Sequence, residues 1–331
     1  DPGMIFIDRI NAGSANPVTS LGPIETTNPC VTGDALISTG NGLIRMKDLV
    51  KAEKEIELVI DERASKKGTR GKAVKFFDNG EKEVFKVVTK AGLELTVTSD
   101  HKLLTPDGWK EAKNLKNGDK IFIQNQEGCF GQEKNWTKEL GQIVGWLIGD
   151  GWIRSGDKNC RVGFTFGKED SNNMEYLKKH INKLYGKEID EIERVRNTYH
   201  LSYHGKDFVD FFLKLGVKAV KAGEKEVPEP IYIAPKEAVV GFLQGLFTAD
   251  GTVNFRRDHS SYVRLTSKSK NLTRGVQLLL INFGIFSRIY DRSRKPRAGM
   301  FKYTNKEGQE RSYVLDGILY ELEISKQSVL K

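Results

Sequence analysis

Two aspartates, Asp150 and Asp250, lie 100 positions apart at the ends of two similar segments. Residues 138–151 read KELGQIVGWLIGDG and residues 238–251 read AVVGFLQGLFTADG, each with the apolar spacing of a helix. If these helices pack side by side, two carboxylates meet at helix C-termini, where the dipole is already negative. A divalent cation would relieve the repulsion, and Mg²⁺ binds one or two carboxylates together with water and phosphate oxygens. The pair therefore predicts a metal-dependent site for phosphodiester cleavage.

The alternative is that each Asp-Gly only ends a helix, with the glycine in the left-handed conformation. Small residues in register favour packing instead, because a helical glycine costs about 1 kcal/mol relative to alanine and needs a compensating close contact. The first copy carries them at i, i+4 and i+8, and the second repeats the pattern. The predicted helix interface consists of Gly141, Gly145, Gly149, Gly241, Gly245 and Ala249.

The similarity continues beyond the two helices. VGFT at 162–165 corresponds to VRLT at 263–266, and the stretch from Tyr199 to Phe212 corresponds to residues 320–331. Each copy is predicted to run helix, strands, helix, strand, helix. The first repeat is assigned to residues 136–235 and the second to 236–331, where the chain is expected to stop one turn into its last helix.

The net charge of +9 is concentrated in one stretch. Residues 256–311 hold 14 Lys or Arg against 4 Asp or Glu, which points to a polyanion such as double-stranded DNA. A solvated basic face without a ligand is the alternative. The predicted DNA-binding residues are Arg256, Arg257, Arg264, Arg292, Arg294, Lys295 and Arg297.

The paired segments IVGWLIGDG (143–151) and LQGLFTADG (243–251) resemble the signatures of LAGLIDADG homing endonucleases. The first departs from the signature at Trp146 and Gly149 but keeps Asp-Gly. The resemblance implies an α+β domain of two pseudo-symmetric αββαββα repeats, a monomer with an internal pseudo-dimer. It also implies aspartates that bind catalytic Mg²⁺ or Mn²⁺, and sheets that bind DNA. Lys225 resembles the family's basic residue near the scissile phosphate, although an ordinary solvated lysine is the alternative.

Residues 30–127 have the pattern of a compact, mostly β region. Gly-rich turns separate short alternating segments; a hairpin is predicted with Ala91-Gly92 at its turn, another turn at 106–108, and a turn and strand within 115–123. The region resembles the N-terminal part of the all-β Hint splicing domain of inteins, through Cys30 and the box Thr98-Ser99-Asp100-His101. Residues 128–135 are assigned as a linker, either flexible or an ordered crossing.

The Hint resemblance implies an N–S acyl shift at Pro29-Cys30. Cys30 is the implied nucleophile, His101 the acid near the amide nitrogen, and Thr98 a positioning group; the reaction needs no cofactor. A lone Cys and a lone His are otherwise more often structural. Cys129 and Cys160 lack such a context and are expected to be structural.

Residues 1–29 resemble the segment of class II, adenosylcobalamin-dependent ribonucleotide reductases that leads to N-P-C-G-E. They are interpreted as a remnant of the interrupted host enzyme, with Asn28 in the reductase active-site motif. Residues 320–331 contain no His or Asn, so this polypeptide is expected to be unable to complete splicing alone. A reductase in its own right is excluded, because 29 residues cannot supply a reductase barrel.

Composition limits the remaining classes. Mean hydropathy is −0.46 and no apolar run approaches the roughly 18 residues of a membrane span, so no membrane partner is expected. Three cysteines without a C-x-x-C pair suit a reducing, cytoplasmic compartment. The hypothesis is an intein with DNA endonuclease activity whose partners are DNA and its own flanking chain. The alternative is a LAGLIDADG remnant that binds DNA without cleaving it.

Overall fold

The computed structural model describes residues 30–64, 69–156, 159–195, 197–255, 261–304 and 308–325. Two compact units are present. The first contains the described residues up to Gly131 together with Asn282–Gly284, and the second contains 132–281 and the described residues from Ile285 onward. None of the described helices is long and apolar enough to cross a membrane.

The first unit is built mainly from short antiparallel strands. Strands β1 (Leu36–Thr39), β2 (Gly42–Arg45), β3 (Ile56–Val59) and β4 (Arg70–Ala73) form one sheet in the order β2-β1-β3-β4. Two hairpins follow, β5 (Val84–Val88) with β6 (Glu94–Thr98) and β7 (Lys102–Thr105) with β8 (Gly108–Glu111). The predicted hairpin is confirmed, because Gly92 adopts a φ of 85° in the turn between β5 and β6.

Two features of this unit differ from the expectation. Residues 115–123 contain the predicted turn but no strand; Phe122 donates a single backbone hydrogen bond to Leu104 (2.9 Å). The apolar residues of KIFI suggested a strand, but no partner strand continues the pairing there. A seven-residue helix, α1 (Met46–Ala52), was also not expected; it buries Leu49 and ends at Glu53, whose φ is 46°.

The second unit begins with α2 (Lys138–Asp150), capped by the Thr137 hydroxyl, which accepts a hydrogen bond from the Leu140 amide (3.2 Å). Strands β9 (Gly151–Gly156) and β10 (Asn159–Gly167), helix α3 (Ser171–Tyr185), strands β11 (Ile192–Arg194) and β12 (Thr198–His204) and helix α4 (Lys206–Lys214) follow. The sheet has the order β11-β12-β10-β9. One face is buried through Val162, Phe164, Phe166, Leu201 and Tyr203.

The second copy runs α5 (Lys236–Asp250), β13 (Gly251–Asn254), β14 (Tyr262–Ser267), α6 (Lys270–Asn282), β15 (Arg288–Asp291), β16 (Arg297–Thr304), β17 (Glu310–Leu315) and β18 (Tyr320–Ser325). Its sheet has the order β13-β14-β18-β15, so β15 and β18 take the places of β11 and β12. The separate hairpin β16–β17 has no counterpart among the described residues of the first copy and was not predicted. The last helix expected after 325 lies outside the described residues.

Candidate functional site

Helices α2 and α5 approach each other through their glycines. A Cβ atom on Gly141 would lie 2.1 Å from the Ala238 carbonyl oxygen, and one on Gly241 would lie 2.1 Å from that of Lys138. The contact is thus backbone against backbone, which no larger residue permits at these positions. On Gly149 a Cβ would lie 2.6 Å from the Cβ of Ala249. The structure brings together the small residues that the sequence singled out.

The Asp-Gly ends are not left-handed helix caps. Gly151 (φ −108°, ψ 171°) and Gly251 (φ −94°, ψ 162°) are both extended, so each helix passes directly into a strand. A Cβ on Gly251 would lie 2.2 Å from the Phe247 carbonyl oxygen, which explains why glycine follows the aspartate. The alternative interpretation of simple left-handed turns is therefore wrong for this backbone.

The two aspartates occupy a shared, unfavourable electrostatic environment. The pKa of Asp250 is raised to about 6, first by burial and then by the charge of Asp150, while Lys225 opposes both effects. Asp150 is open to solvent on one side, yet desolvation by its surroundings raises its pKa; Lys225 lowers it, and Asp170 raises it. The influence of Asp170 on this site was not predicted, since nothing in its sequence context marks it.

Lys225 is not an ordinary solvated lysine. Its ammonium group donates hydrogen bonds to the carbonyl oxygens of Gly149 (2.8 Å) and Gly151 (3.1 Å), at the C-terminal end of α2. Burial lowers the pKa of Lys225, while Asp250 and Asp150 act in the opposite direction. A cation at this place offsets both the helix dipole and the two carboxylates.

Ser269 is a further residue of the site that the sequence analysis missed. It is buried, donates a hydrogen bond to the Lys225 carbonyl oxygen (2.5 Å), and accepts one from the Leu272 amide (3.1 Å) at the start of α6. It therefore ties the segment that carries Lys225 to a helix terminus. Its only sequence signal is that of an N-cap serine.

The donor set suits a cation of the kind that prefers oxygen. Among the residues that the structure describes, no cluster of three or more His, Cys, Asp or Glu side chains could hold a metal ion. Two neighbouring carboxylates, of which Asp150 disfavours the ionisation of Asp250, nevertheless fit Mg²⁺ or Mn²⁺, which commonly take one or two protein carboxylates and fill the shell with water or phosphate oxygens.

The predicted basic residues fall into two groups. Arg264 pairs with Glu323 (2.7 Å) and Arg292 with Glu321 (3.0 Å), while Arg294 and Lys295 lie exposed after β15. Arg256 and Arg257 lie outside the described residues, as does the side chain of Arg297. The charge excess over 256–311 is thus partly compensated by carboxylates from β18, beyond the end of that stretch.

A second basic surface lies on the sheet β11-β12-β10-β9 of the second unit and was not predicted. Arg154 and Arg161 each place the guanidinium group 5.2 Å from the centre of the Trp152 ring. Arg194 and His200 line the same surface; burial and then the charge of Arg194 lower the pKa of His200. Side chains alternate between the two faces of a strand, and Val162 and Phe164 point to the core. This alternation could have revealed that the basic side chains point outward together.

In the first unit, the three residues of the predicted splicing centre converge. The Cys30 amide donates a hydrogen bond to Thr98 Oγ1 (3.0 Å), and the Thr98 amide donates one to the Cys30 carbonyl (3.0 Å). Burial lowers the pKa of His101, against the opposing effects of Asp100 and of a hydrogen bond to the Cys30 backbone. The buried Nδ1 of His101 has no hydrogen-bond partner among the described residues. Pro29, on the other side of the predicted scissile bond, lies outside them.

Asn79 also contacts this centre, and sequence reasoning did not find it. Its side-chain amide donates a hydrogen bond to the Cys30 sulfur (3.2 Å) from an irregular segment between β4 and β5. Its neighbour Asp78 accepts a hydrogen bond from the Gly80 amide (2.9 Å), which fixes the turn. The other two cysteines lie elsewhere: Cys160 donates to the Gly156 carbonyl oxygen (3.3 Å), and Cys129 hydrogen-bonds the Arg70 side chain.

Parts of this chain are similar to known proteins. Residues 237–331 match the family model described as a LAGLIDADG-like domain. The chain is 28% identical over 322 residues to the ribonucleoside-diphosphate reductase NrdEB subunit alpha of Bacillus subtilis, covering 89% of this chain but 29% of the relative. It is also 28% identical over 278 residues to the replicative DNA helicase DnaB of Synechocystis sp., covering 78% of this chain and 31% of the helicase. The chain thus spans less than a third of either relative.

Two solved structures are also similar. Variants of the homing endonuclease I-DmoI align with a TM-score of 0.39 at 17% identity, over 57% of this chain and 89% of theirs. A DnaB intein from Synechocystis sp. aligns with a TM-score of 0.26 at 30% identity, over 29% of this chain and 70% of its own. Residues 237–331 are thus similar to a LAGLIDADG-like domain, and most of the chain is similar to segments of a reductase and of a helicase.

Proposed function

We propose that the second unit is a metal-dependent endonuclease for double-stranded DNA. The observation that carries the proposal is the meeting of Asp150 and Asp250 at the ends of two glycine-packed helices, beside Lys225. Asp150 and Asp250 would hold the divalent cation, which supplies Lewis-acid stabilisation of a phosphate and a more acidic bound water. Lys225 would hold positive charge near the phosphate, and the two sheets would bind the duplex.

The test uses a linear duplex that carries the host reductase gene without the insertion, since a homing endonuclease cuts the uninterrupted allele. The protein is expected to make a double-strand break in the presence of Mg²⁺ or Mn²⁺. Asp150→Asn and Asp250→Asn are each expected to abolish cleavage while binding persists, and Asp316→Asn, an exposed site, serves as the control. Specific binding by the wild type without any cleavage would favour the alternative, a LAGLIDADG remnant that binds DNA without cleaving it.

We propose that the first unit carries out the first step of protein splicing. The observation behind this is the convergence of Cys30, Thr98 and His101, which places a thiol and an imidazole at one backbone position. In the proposed step, the Cys30 thiol gives up its proton as the sulfur attacks the Pro29 carbonyl carbon, the amide C–N bond breaks, and the Cys30 nitrogen takes a proton from His101 to leave as an amine, so that one proton passes overall from sulfur to nitrogen. The product is a thioester in place of the amide.

The similarity to two host proteins of unrelated activity supports an insertion of this kind. A single segment aligns with about 30% of both a reductase and a helicase, which is what an element shared between different hosts would produce. That the host is a ribonucleotide reductase, and of class II, belongs to the same proposal. Dithiothreitol is expected to release residues 1–29 from the wild-type chain and none from Cys30→Ala, as measured by mass spectrometry. Equal release from both would sink the splicing proposal.

A further inference from the structure

The second unit has two four-stranded sheets, β11-β12-β10-β9 (the first sheet) and β13-β14-β18-β15 (the second sheet). They present very different charge to solvent. On the outer face of the first sheet lie Arg154, Arg161 and Arg194, and no described strand residue of that face is acidic. The outer face of the second sheet also carries three arginines, Arg264 and Arg288 on its strands and Arg292 just after β15. Two glutamates lie among them, because the register sets Glu323 opposite both Arg264 and Arg288 and sets Glu321 opposite Tyr290.

Two of the three arginines of the second sheet, Arg264 and Arg292, are held by those carboxylates. Arg264 contacts Glu323 through both Nε (2.8 Å) and a terminal nitrogen (2.7 Å), and Arg292 donates to Glu321 (3.0 Å). An ion pair acts on a distant phosphate as a dipole, whose field is weaker than that of a lone charge. Salt at about 0.15 M screens such fields beyond about 8 Å. These arginines therefore attract phosphates much less than unpaired ones.

Two of the three arginines of the first sheet, Arg154 and Arg161, contact the uncharged ring of Trp152 and form no ion pair with a described carboxylate. Trp152 lies between Arg154 and Arg161, and Gly163 makes room for the ring, since a Cβ there would lie 2.1 Å from a ring carbon. Such cation–π contacts hold a guanidinium group in place over the ring. The ring thus preorganises two cations without neutralising them.

We propose that the two sheets anchor the duplex unequally, with the first sheet supplying more of the phosphate neutralisation, through Arg154, Arg161 and Arg194, than the second. The second sheet, with its Arg–Glu pairs, contributes less to the salt-dependent part of binding. This inference rests on the proposed DNA binding and adds which of the two sheets binds phosphates more strongly.

The test measures binding of a fluorescent duplex of about 30 base pairs, unrelated in sequence to any host gene, across about 50–200 mM KCl. Each lost phosphate contact lowers the slope of log K against log salt by about 0.9. Arg154→Ala and Arg194→Ala are expected to lower it by about that amount each. The matched variants Arg264→Ala and Arg292→Ala are expected to lower it by less than half as much. Glu323→Gln is expected to tighten binding, because it unmasks Arg264.

Equal slope losses from both sheets, or unchanged binding by Glu323→Gln, would overturn the unequal anchoring and leave DNA binding intact. Absence of any duplex binding by the wild type would refute the proposed function itself. Arg154→Lys keeps the charge and is expected to preserve the slope; a lower slope in this variant, with a circular dichroism spectrum like that of the wild type, would overturn the role given to the charge of Arg154. Circular dichroism of each variant is compared with the wild type.

Discussion

Gly145 faces Phe242 so closely that a Cβ on the glycine would lie 2.1 Å from the Phe242 carbonyl oxygen. Gly245 has the same relation to Gln142, at 2.2 Å. Gly145→Ala must push the two helices apart, and overpacking of this kind costs about 1–3 kcal/mol or more. We expect a lower urea midpoint and, because the aspartates at the helix ends shift too, loss of cleavage.

The matched control is Gly223→Ala. A Cβ on Gly223 meets no atom within 4 Å, so this variant is expected to change the free energy of unfolding by less than about 0.5 kcal/mol. Equal urea midpoints for the two variants would show that the helices tolerate separation.

Asp250 is expected to make the fold less stable as pH rises. Its pKa is about 6 in the folded protein, against about 3.9 in an unfolded chain. The folded state keeps the proton where the unfolded chain has lost it, so stability falls as pH rises from about 4 to 6. Asp250→Asn should remove this dependence and, without metal at pH 7, raise the free energy of unfolding by on the order of 2 kcal/mol.

Thermal unfolding with and without Mg²⁺ completes this test. The cation should raise the wild-type midpoint at pH 7 and leave that of Asp250→Asn unchanged, because binding to the folded state alone stabilises it. The control is Asp316→Asn: a hydrogen bond from Lys268 lowers the pKa of Asp316, so this substitution should not stabilise the protein. A stabilised Asp316→Asn, or a wild type indifferent to Mg²⁺, would contradict the prediction.

The residues that came together in space were predictable where a repeat or a local pattern marked them. The glycine register and the Asp-Gly ends located the contact of α2 with α5, and the hairpin at Gly92 followed from turn chemistry. The pairing of Arg264 with Glu323 did not follow, because the two residues are 59 positions apart and meet only through strand register. The hairpin β16–β17 has no counterpart in the described part of the first repeat, so comparison of the copies could not reveal it.

Ser269→Ala is expected to slow DNA cleavage without weakening DNA binding. The Ser269 hydroxyl holds the backbone of Lys225 and caps α6, so its loss lets the lysine move away from the helix end. If this movement of the lysine costs about 1.4 kcal/mol of transition-state stabilisation, kcat falls tenfold. Ser269→Thr retains a capping hydroxyl and should restore most of the rate, measured below the unfolding temperature of each variant. A change in KM alone would contradict a positioning role.

Asn79→Ala is expected to slow thiol-induced release of residues 1–29. The Asn79 amide donates a hydrogen bond to the Cys30 sulfur, and a donor at that atom stabilises the negative charge that the sulfur carries as it attacks. Because one such bond to a charged group is worth about 1.5–3 kcal/mol, the rate should fall by roughly tenfold to a hundredfold. Asn79→Asp should be slower still, since a carboxylate beside the attacking sulfur repels its negative charge. Asn41→Ala, at another turn of the same unit, is the control, and an Asn79→Asp rate equal to the wild type would exclude this role for Asn79.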